Sequence, residues 1–198
     1  MAWDIPAKAL VTLTCSPNGN YGMAMTNSDG TVALETLVNS SVAINEQNGT
    51  YTFSPVLEAS RLYVSTTKFV SASYVILTDE ELKQYEFNVT FEFTSNRDDA
   101  KYINTSQTVG TDVKFADMGG TQYAISNIIP ANSVITLNVK SGGNYGMCIA
   151  DENGKVLQNK PSNQANADGN IIFDKQSVPC KLWVSMTKYN KATYKLGG

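Results

Sequence analysis

Gly19-Asn20-Tyr21-Gly22-Met23 and Gly143-Asn144-Tyr145-Gly146-Met147 are the same five residues written twice, 124 positions apart. The repetition reaches back to Asp4-Ile5-Pro6-Ala7, answered by Ile128-Ile129-Pro130-Ala131. It resumes near the end of each copy, where Arg61-Leu62-Tyr63-Val64-Ser65-Thr66-Thr67-Lys68-Phe69 is matched by Lys181-Leu182-Trp183-Val184-Ser185-Met186-Thr187-Lys188-Tyr189 at an offset of 120. Four residues are lost between the two blocks, and the polar stretch between Leu34 and Asn48, facing Gln158 to Asp168, is where a surface loop would absorb them.

Within each copy the apolar residues alternate. Leu10, Thr12 and Thr14 face one way and Val11, Leu13 and Cys15 the other, and Val134 to Val139 repeats the arrangement, so both read as covered strands. Tyr21 to Met25 and Tyr145 to Ile149 read as second strands, each followed by a turn, Asn27-Ser28-Asp29-Gly30 and Asp151-Glu152-Asn153-Gly154, in which glycine supplies a positive φ. Third strands are expected from Val32 and Val156, then Thr50–Phe53 and Asn170–Phe173, then the Leu62 and Leu182 strands and last strands ending at Ile76 and Leu196. Short strands separated by Gly, Asn and Pro turns predict a β-sandwich.

The middle has no counterpart. Thr78-Asp79-Glu80-Glu81 has capping-box spacing, which predicts one or two helical turns over Leu82 to Tyr85. Phe87, Val89, Phe91 and Phe93 alternate with Asn88, Thr90 and Glu92 as a single half-buried strand, and Asn96-Arg97-Asp98-Asp99 turns the chain. Tyr102–Asn104, Val113–Phe115 and Gln122–Ile125 read as further strands. The expected fold is all-β: two tandem, duplicated β-sandwich domains joined by a short helical spacer, the first over 1–77 and the second over 78–198, with a matched core at 127–198 and strands added from 86–126.

Charged residues make up 17% of the 198, fewer than in most soluble domains, and the net charge is −3, with no run of basic residues. Neither a phosphate-tracking groove nor an anionic-membrane patch is indicated, so nucleic acid and membrane are not expected partners. The segment after Met1 has neither a basic stretch nor a long apolar one, and no export signal is expected. The three cysteines, Cys15, Cys148 and Cys180, face Val139, Ala24 and Ser60 in the other copy. Since a disulfide built into the scaffold would recur, they read as buried thiols, with a Cys148–Cys180 bridge as the alternative.

The chain contains no histidine, which removes Ser-His-Asp and Cys-His nucleophile systems and His-containing metal sites. Acids inside the matched segments oppose non-acidic residues, as Asp29 opposes Asn153 and Asp168 opposes Asn48, so no duplicated carboxylate pair exists and the acids read as solvated turn charges. Glu58 and Asp174 have no spacing that suggests catalysis. The Asp151-Glu152-Asn153 loop offers oxygen ligands but not the spacing of a calcium loop. The Gly-Asn-Tyr-Gly-Met block precedes a strand rather than a helix, so it lacks the helix N-terminus of a phosphate cradle. Its Tyr21 and Tyr145 either cap the sandwich edge or hold a ligand. Tyr63 and Trp183 are the sharper candidates, because alternation places them opposite the core-facing Leu62, Val64, Leu182, Val184 and Met186. There they form a sugar-stacking platform or an interface anchor, unless a neighbouring strand covers them. Sequons at Asn39, Asn48, Asn88 and Asn104 read as coincidence in an Asn- and Thr-rich chain.

The stretch Lys101-Tyr102-Ile103-Asn104-Thr105-Ser106, Tyr123 through Ile129-Pro130, Ile135-Thr136-Leu137, Asn144-Tyr145-Gly146-Met147, Asp151 through Val156 and Val178 to Val184 resembles the small, jelly-roll-like β-sandwich modules of tailed-bacteriophage tail, baseplate and fibre proteins. The resemblance implies adhesion or particle architecture rather than catalysis: a capsid decoration or auxiliary protein, or a fibre or tail adaptor, on the virion exterior. Its partners would be other virion proteins or host-surface glycans, with no cofactor and no metal. Similar modules occur in carbohydrate-binding proteins, which makes a glycan-binding module the competing expectation, with Tyr63, Trp183, Tyr21 and Tyr145 as contact residues.

Overall fold

Burial alternates along the two strands that the repeat makes equivalent. In Ala9–Cys15 the residues Ala9, Val11, Leu13 and Cys15 are buried while those between are half-buried, and Ser133–Val139 shows the same pattern. The computed structural model describes residues 1–16, 22–36, 49–95, 101–103, 107–113, 115–117 and 123–197. Tyr21, the sequons at Asn39, Asn48 and Asn104, and the turn at Asn96-Arg97-Asp98-Asp99 lie outside the described residues. The fold is all-β, built from several antiparallel sheets, and the chain clusters into two units, Met1–Phe87 and Asn88–Gly198.

The first unit contains β1 (Ala2–Ile5), β2 (Ala9–Cys15), β3 (Met23–Asn27), β4 (Ala33–Thr36), β5 (Thr50–Phe53), β6 (Ser60–Val64) and β7 (Phe69–Ile76). They form one sheet in the order β1-β6-β3-β4 and another in the order β5-β2-β7. Ile5, Met23, Met25, Leu62 and Val64 from the first sheet share a core with Ala9, Val11, Leu13 and Phe53 from the second, so the unit is sandwich-like. The helix that follows, α1, spans Asp79–Leu82 and starts three residues earlier than expected; its capping box is complete, since Thr78 and Glu81 each accept a hydrogen bond from the other's backbone N–H.

The second unit contains β8 (Phe87–Asn88), which straddles the boundary, then β9 (Phe91–Ser95), β10 (Lys101–Ile103), β11 (Phe115–Asp117), β12 (Tyr123–Ser126), β13 (Ser133–Val139), β14 (Met147–Asp151), β15 (Val156–Asn159), β16 (Asn170–Phe173), β17 (Cys180–Ser185) and β18 (Tyr189–Leu196). Its sheets run β15-β14-β17-β12-β9 and β16-β13-β18-β8, with β10 and β11 as a separate pair. Ala124, Met147, Ile149, Leu182 and Val184 meet Ile135, Leu137, Ile171, Phe173 and Ala192 in one core. Each fully buried phenylalanine, Phe53 and Phe173, contributes about 2–3 kcal/mol by leaving water.

The pairing registers of the central strands β2 and β13 repeat position by position. Leu13 opposes Ala72 and Tyr51, and Leu137 opposes Ala192 and Ile171; even the bulge at Thr14/Cys15 recurs at Asn138/Val139. Lys8 and Asn132, the described non-glycine residues at positive φ, are equivalent too: their N–H groups donate to Val56 and Gln176, and their carbonyls accept from Leu77 and Gly197.

Two expectations are corrected by the registers. The missing residues are not all in the long loop. Gly30 and Gly154 hold the same place in their hairpins, each N–H reaching back to the first loop residue, Asn27 or Asp151, but Ala33 and Val156 then take equivalent places on the third strand, so one residue is lost after Gly154. A hairpin tolerates this because the Asx side chain, not a fixed length, closes it. The run Phe87 to Phe93 is likewise not one strand. It breaks at Val89-Thr90, with β8 bordering β18 in one sheet and β9 bordering β12 in the other. Alternation cannot reveal this, since both sheets face one core and the apolar side stays inward through the switch.

That switching run makes the units unequal. It closes one side of the second unit, where Val89 N–H donates to the Ala192 carbonyl at 2.9 Å and Phe91 meets Tyr189 edge-on at 5.2 Å. Among the described residues the first unit has no such run, and β1 and β7 stand at sheet edges. Trp3 lies there against Phe69, the counterpart of Tyr189, with ring centres 4.8 Å apart and planes tilted by 33°.

Candidate contact surface

The sheet faces that point away from each unit's core carry Tyr63 and Trp183, the aromatics singled out by alternation. On β6, Leu62 and Val64 are buried and Tyr63 is exposed (37%); on β17, Leu182 and Val184 are buried and Trp183 is half-buried on the opposite face. Equivalent positions thus have different surroundings.

Trp183 is covered. Its indole packs with Cys148, Val156 and Val113 in a small cluster outside the main core. Val113 comes from the segment between β9 and β12. Gly110 and Thr111 exchange hydrogen bonds with Val156, Val113 N–H donates to Gly154, and Asp112 pairs with Lys155 at 2.6 Å, all along the β15 edge of the sheet. β9 lies at the opposite edge of this sheet and β10 lies near β17 and β12, so the described parts of the insertion reach both edges and the strands between. Trp183 packs with its Val113 end. The sequence leaves this aromatic either free or covered by a neighbour, and the covering element comes from the unmatched middle.

Tyr63 has no such strap among the described residues. Its hydroxyl lies against the β3–β4 hairpin, where a Cβ on Gly30 would fall 2.6 Å from it. Beside it Arg61 donates through Nε and a terminal nitrogen to the Asp4 carboxylate, each at 2.8 Å. Hydrogen bonding to Tyr63 first, and then to Asp4, pushes the Arg61 pKa above its usual value. The result is an exposed aromatic ring with a fixed guanidinium and a carboxylate on one flat β surface. Alternation found Tyr63, and the same count of two along the strand would have found Arg61; Asp4 needed the β1–β6 pairing, Asp4 opposite Arg61, which the repeat does not encode.

Tyr145 sits before β14 rather than in it. Half-buried, it packs against the second core, its N–H donates to Ser162 Oγ at 2.8 Å, and Lys188 Nζ lies 5.5 Å from its ring centre. It packs with the main core, whereas Trp183 packs with the separate cluster on the other side of its sheet.

The thiols form no pair. Cys15, Cys148 and Cys180 are free and buried. Cys148 opposes Trp183 on β17, while Cys180, three residues earlier, points to the core face, so a bridge would have to pass through the sheet. Burial pushes Cys148 up to about 12 and Cys180 up to about 11.

The acidic turns have structural duties. Asp151 Oδ1 accepts from the N–H groups of Asn153 and Lys155, as Asn166 Oδ1 accepts from Asp168 and Asn170. Asn27, the counterpart of Asp151, accepts from Val32. An amide and a carboxylate thus do the same work. Asp174 pairs with Lys160 at 3.1 Å, and Glu58 is exposed in the first unit. Among the described residues no three acidic or cysteine side chains cluster as metal ligands would.

No family model matches the chain, and no curated protein matches it.

Proposed function

We propose that the protein is a non-enzymatic structural component of a tailed-bacteriophage virion, a capsid decoration protein or a fibre or tail adaptor that docks on the particle and presents loops outward. One observation carries this reading: the registers of the central strands and the turn bonds of the two units repeat, while the surfaces laid over them do not. Repeated hydrogen bonds at Lys8 and Asn132, or at Asn27 and Asp151, serve the scaffold. The strap over Trp183 and the open face around Tyr63 differ, as expected where one copy is braced and the other is kept for contact. The resemblance of the second unit to phage sandwich modules supplies the setting. Mass spectrometry of purified particles tests it: the chain is expected at a fixed ratio to the major capsid or tail proteins, and its absence would sink the proposal.

The exposed Tyr63 ring beside the Arg61–Asp4 pair favours a second reading, a carbohydrate-binding surface, since a sugar stacks on an aromatic face and takes hydrogen bonds from charged groups at its rim. Trp183, under its strap, belongs to that reading less well. A glycan array with the wild type and Tyr63→Ala separates the two: binding abolished by the substitution supports the sugar surface, and no binding by either protein refutes it.

A further inference from the structure

We infer that β7 is an acceptor edge for a strand from another polypeptide: an extended, uncharged segment with apolar residues at alternate positions. Val11 and Ala9 are buried core residues, and β7 places Tyr74 and Ile76 directly opposite them, with Ala72 opposite Leu13. Ala72, Tyr74 and Ile76 therefore point to the core side of their sheet. Yet Tyr74 is 50% and Ile76 57% exposed, and every residue from Val70 to Ile76 is open. At the equivalent place on β18, Ala192 is buried and Tyr194 is half-buried. The difference is β8, which lies along β18 in the second unit and has no counterpart along β7 among the described residues.

The backbone is turned the right way. Leu77 N–H donates inward to Lys8, so with alternation the N–H and carbonyl groups of Ala72, Tyr74 and Ile76 face the free edge. The same polarity places the Ala192 carbonyl toward Val89 in the second unit, where the bond is made.

The sequence of the edge agrees. Exposed edge strands are normally guarded by charge or proline, because an unprotected edge recruits other strands. Phe69-Val70-Ser71-Ala72-Ser73-Tyr74-Val75-Ile76 has neither, whereas its covered equivalent, Tyr189-Asn190-Lys191-Ala192-Thr193-Tyr194-Lys195-Leu196, carries two lysines. The guards are missing from the strand that needs them, which marks an edge made for pairing. The second unit supplies the chemistry of the occupant: Phe87-Asn88-Val89, apolar at alternate positions, with Phe87 and Val89 buried. Trp3 already sits on Phe69, so the accepted strand lies over Ala72 to Ile76 rather than the full length of β7.

The site is independent of the virion reading and stands or falls separately. Its test is amide hydrogen exchange on the full chain titrated with an acetylated, amidated synthetic peptide of Phe87-Asn88-Val89-Thr90-Phe91, which is uncharged and apolar at alternate positions. Saturable slowing at the Ala72, Tyr74 and Ile76 amides is expected. Tyr74→Lys should raise the Kd at least about tenfold, and Val75→Lys, on the other face, should leave it within about twofold. Ile76→Lys repeats the loss, and an unchanged circular-dichroism spectrum and unfolding midpoint show that each variant is folded. No slowing at saturating peptide overturns the proposal. So does slowing without peptide that grows with protein concentration, which would mean that the edge pairs with a second copy instead.

Discussion

Replacing the two equivalent aromatics should give unequal costs. A fully covered indole removes roughly 200 Å² from water, and a half-buried one about half of that, worth ~2.5 kcal/mol at about 25 cal/mol per Å². Trp183→Ala also leaves a void bounded by Cys148, Val156 and Val113, which brings the expected loss to about 3 kcal/mol. Tyr63 rests on a hairpin backbone with its ring partly in water, and Tyr63→Ala should cost about 1 kcal/mol or less. The chain has two tryptophans, Trp3 and Trp183, one in each unit, so in Trp183→Ala the remaining indole reports the first unit alone. Urea unfolding followed by Trp3 fluorescence should not move, while the circular-dichroism transition of the second unit should fall by about 2 M for a slope near ~1.5 kcal/mol/M. Equal costs for the two substitutions, or an unshifted second transition, would refute the strap as the reason for the burial of Trp183.

Because Asn27 closes its hairpin with the acceptor that Asp151 uses, Asp151→Asn should change stability by less than about 0.5 kcal/mol, whereas Asp151→Ala should lose about 1 kcal/mol in thermal unfolding; millimolar calcium should shift neither wild type nor Asp151→Asn, and a rise in Tm with calcium would contradict the structural role. Cys148 and Cys180 should resist Ellman's reagent in the native chain and react in denaturant. Burial raises both thiols above the usual value of 9.0, to about 12 and about 11, so the folded state favours the protonated form. Their contribution is fully present below pH 9.0, where an unfolded thiol is also neutral, and is lost as pH rises toward 11 and 12. A pH titration of the unfolding midpoint should fall over that window.

Local periodicity made the paired strands legible. Val11 and Leu13, or Ile135 and Leu137, show their buried face in the sequence, and the Thr78 capping box shows that a short helix follows, though not where it starts. What the sequence hid was non-local. The break at Val89-Thr90 changes sheet without changing which side is apolar, so the pattern is continuous across it. The cover on Trp183 depends on residues 110–113 reaching the far edge of a sheet that the chain enters some 20 residues earlier at β9. The one-residue difference after Gly30 and Gly154 was hidden because both hairpins keep the same glycine and the same reaching-back bond, and only the strand pairing beyond them reveals the shift.

The exposed edge did leave a mark in the sequence, through charge rather than periodicity. Ser71, Ser73 and Val75 on β7 stand where Lys191, Thr193 and Lys195 stand on β18, and both strands pair with equal register against β2 and β13. Pairing inside each unit therefore cannot explain the difference. Lysines on the outer face of β18 cost nothing, because its edge is already taken by β8 and the charges stay in water. On β7, whose edge is open, lysines would be the usual guard against indiscriminate pairing, and the strand carries none. Their absence, together with the uncovered Tyr74 and Ile76, places the two departures from the repeat on one edge, and places the contact on the unit that lacks its closing strand rather than on the one that carries the longer insertion.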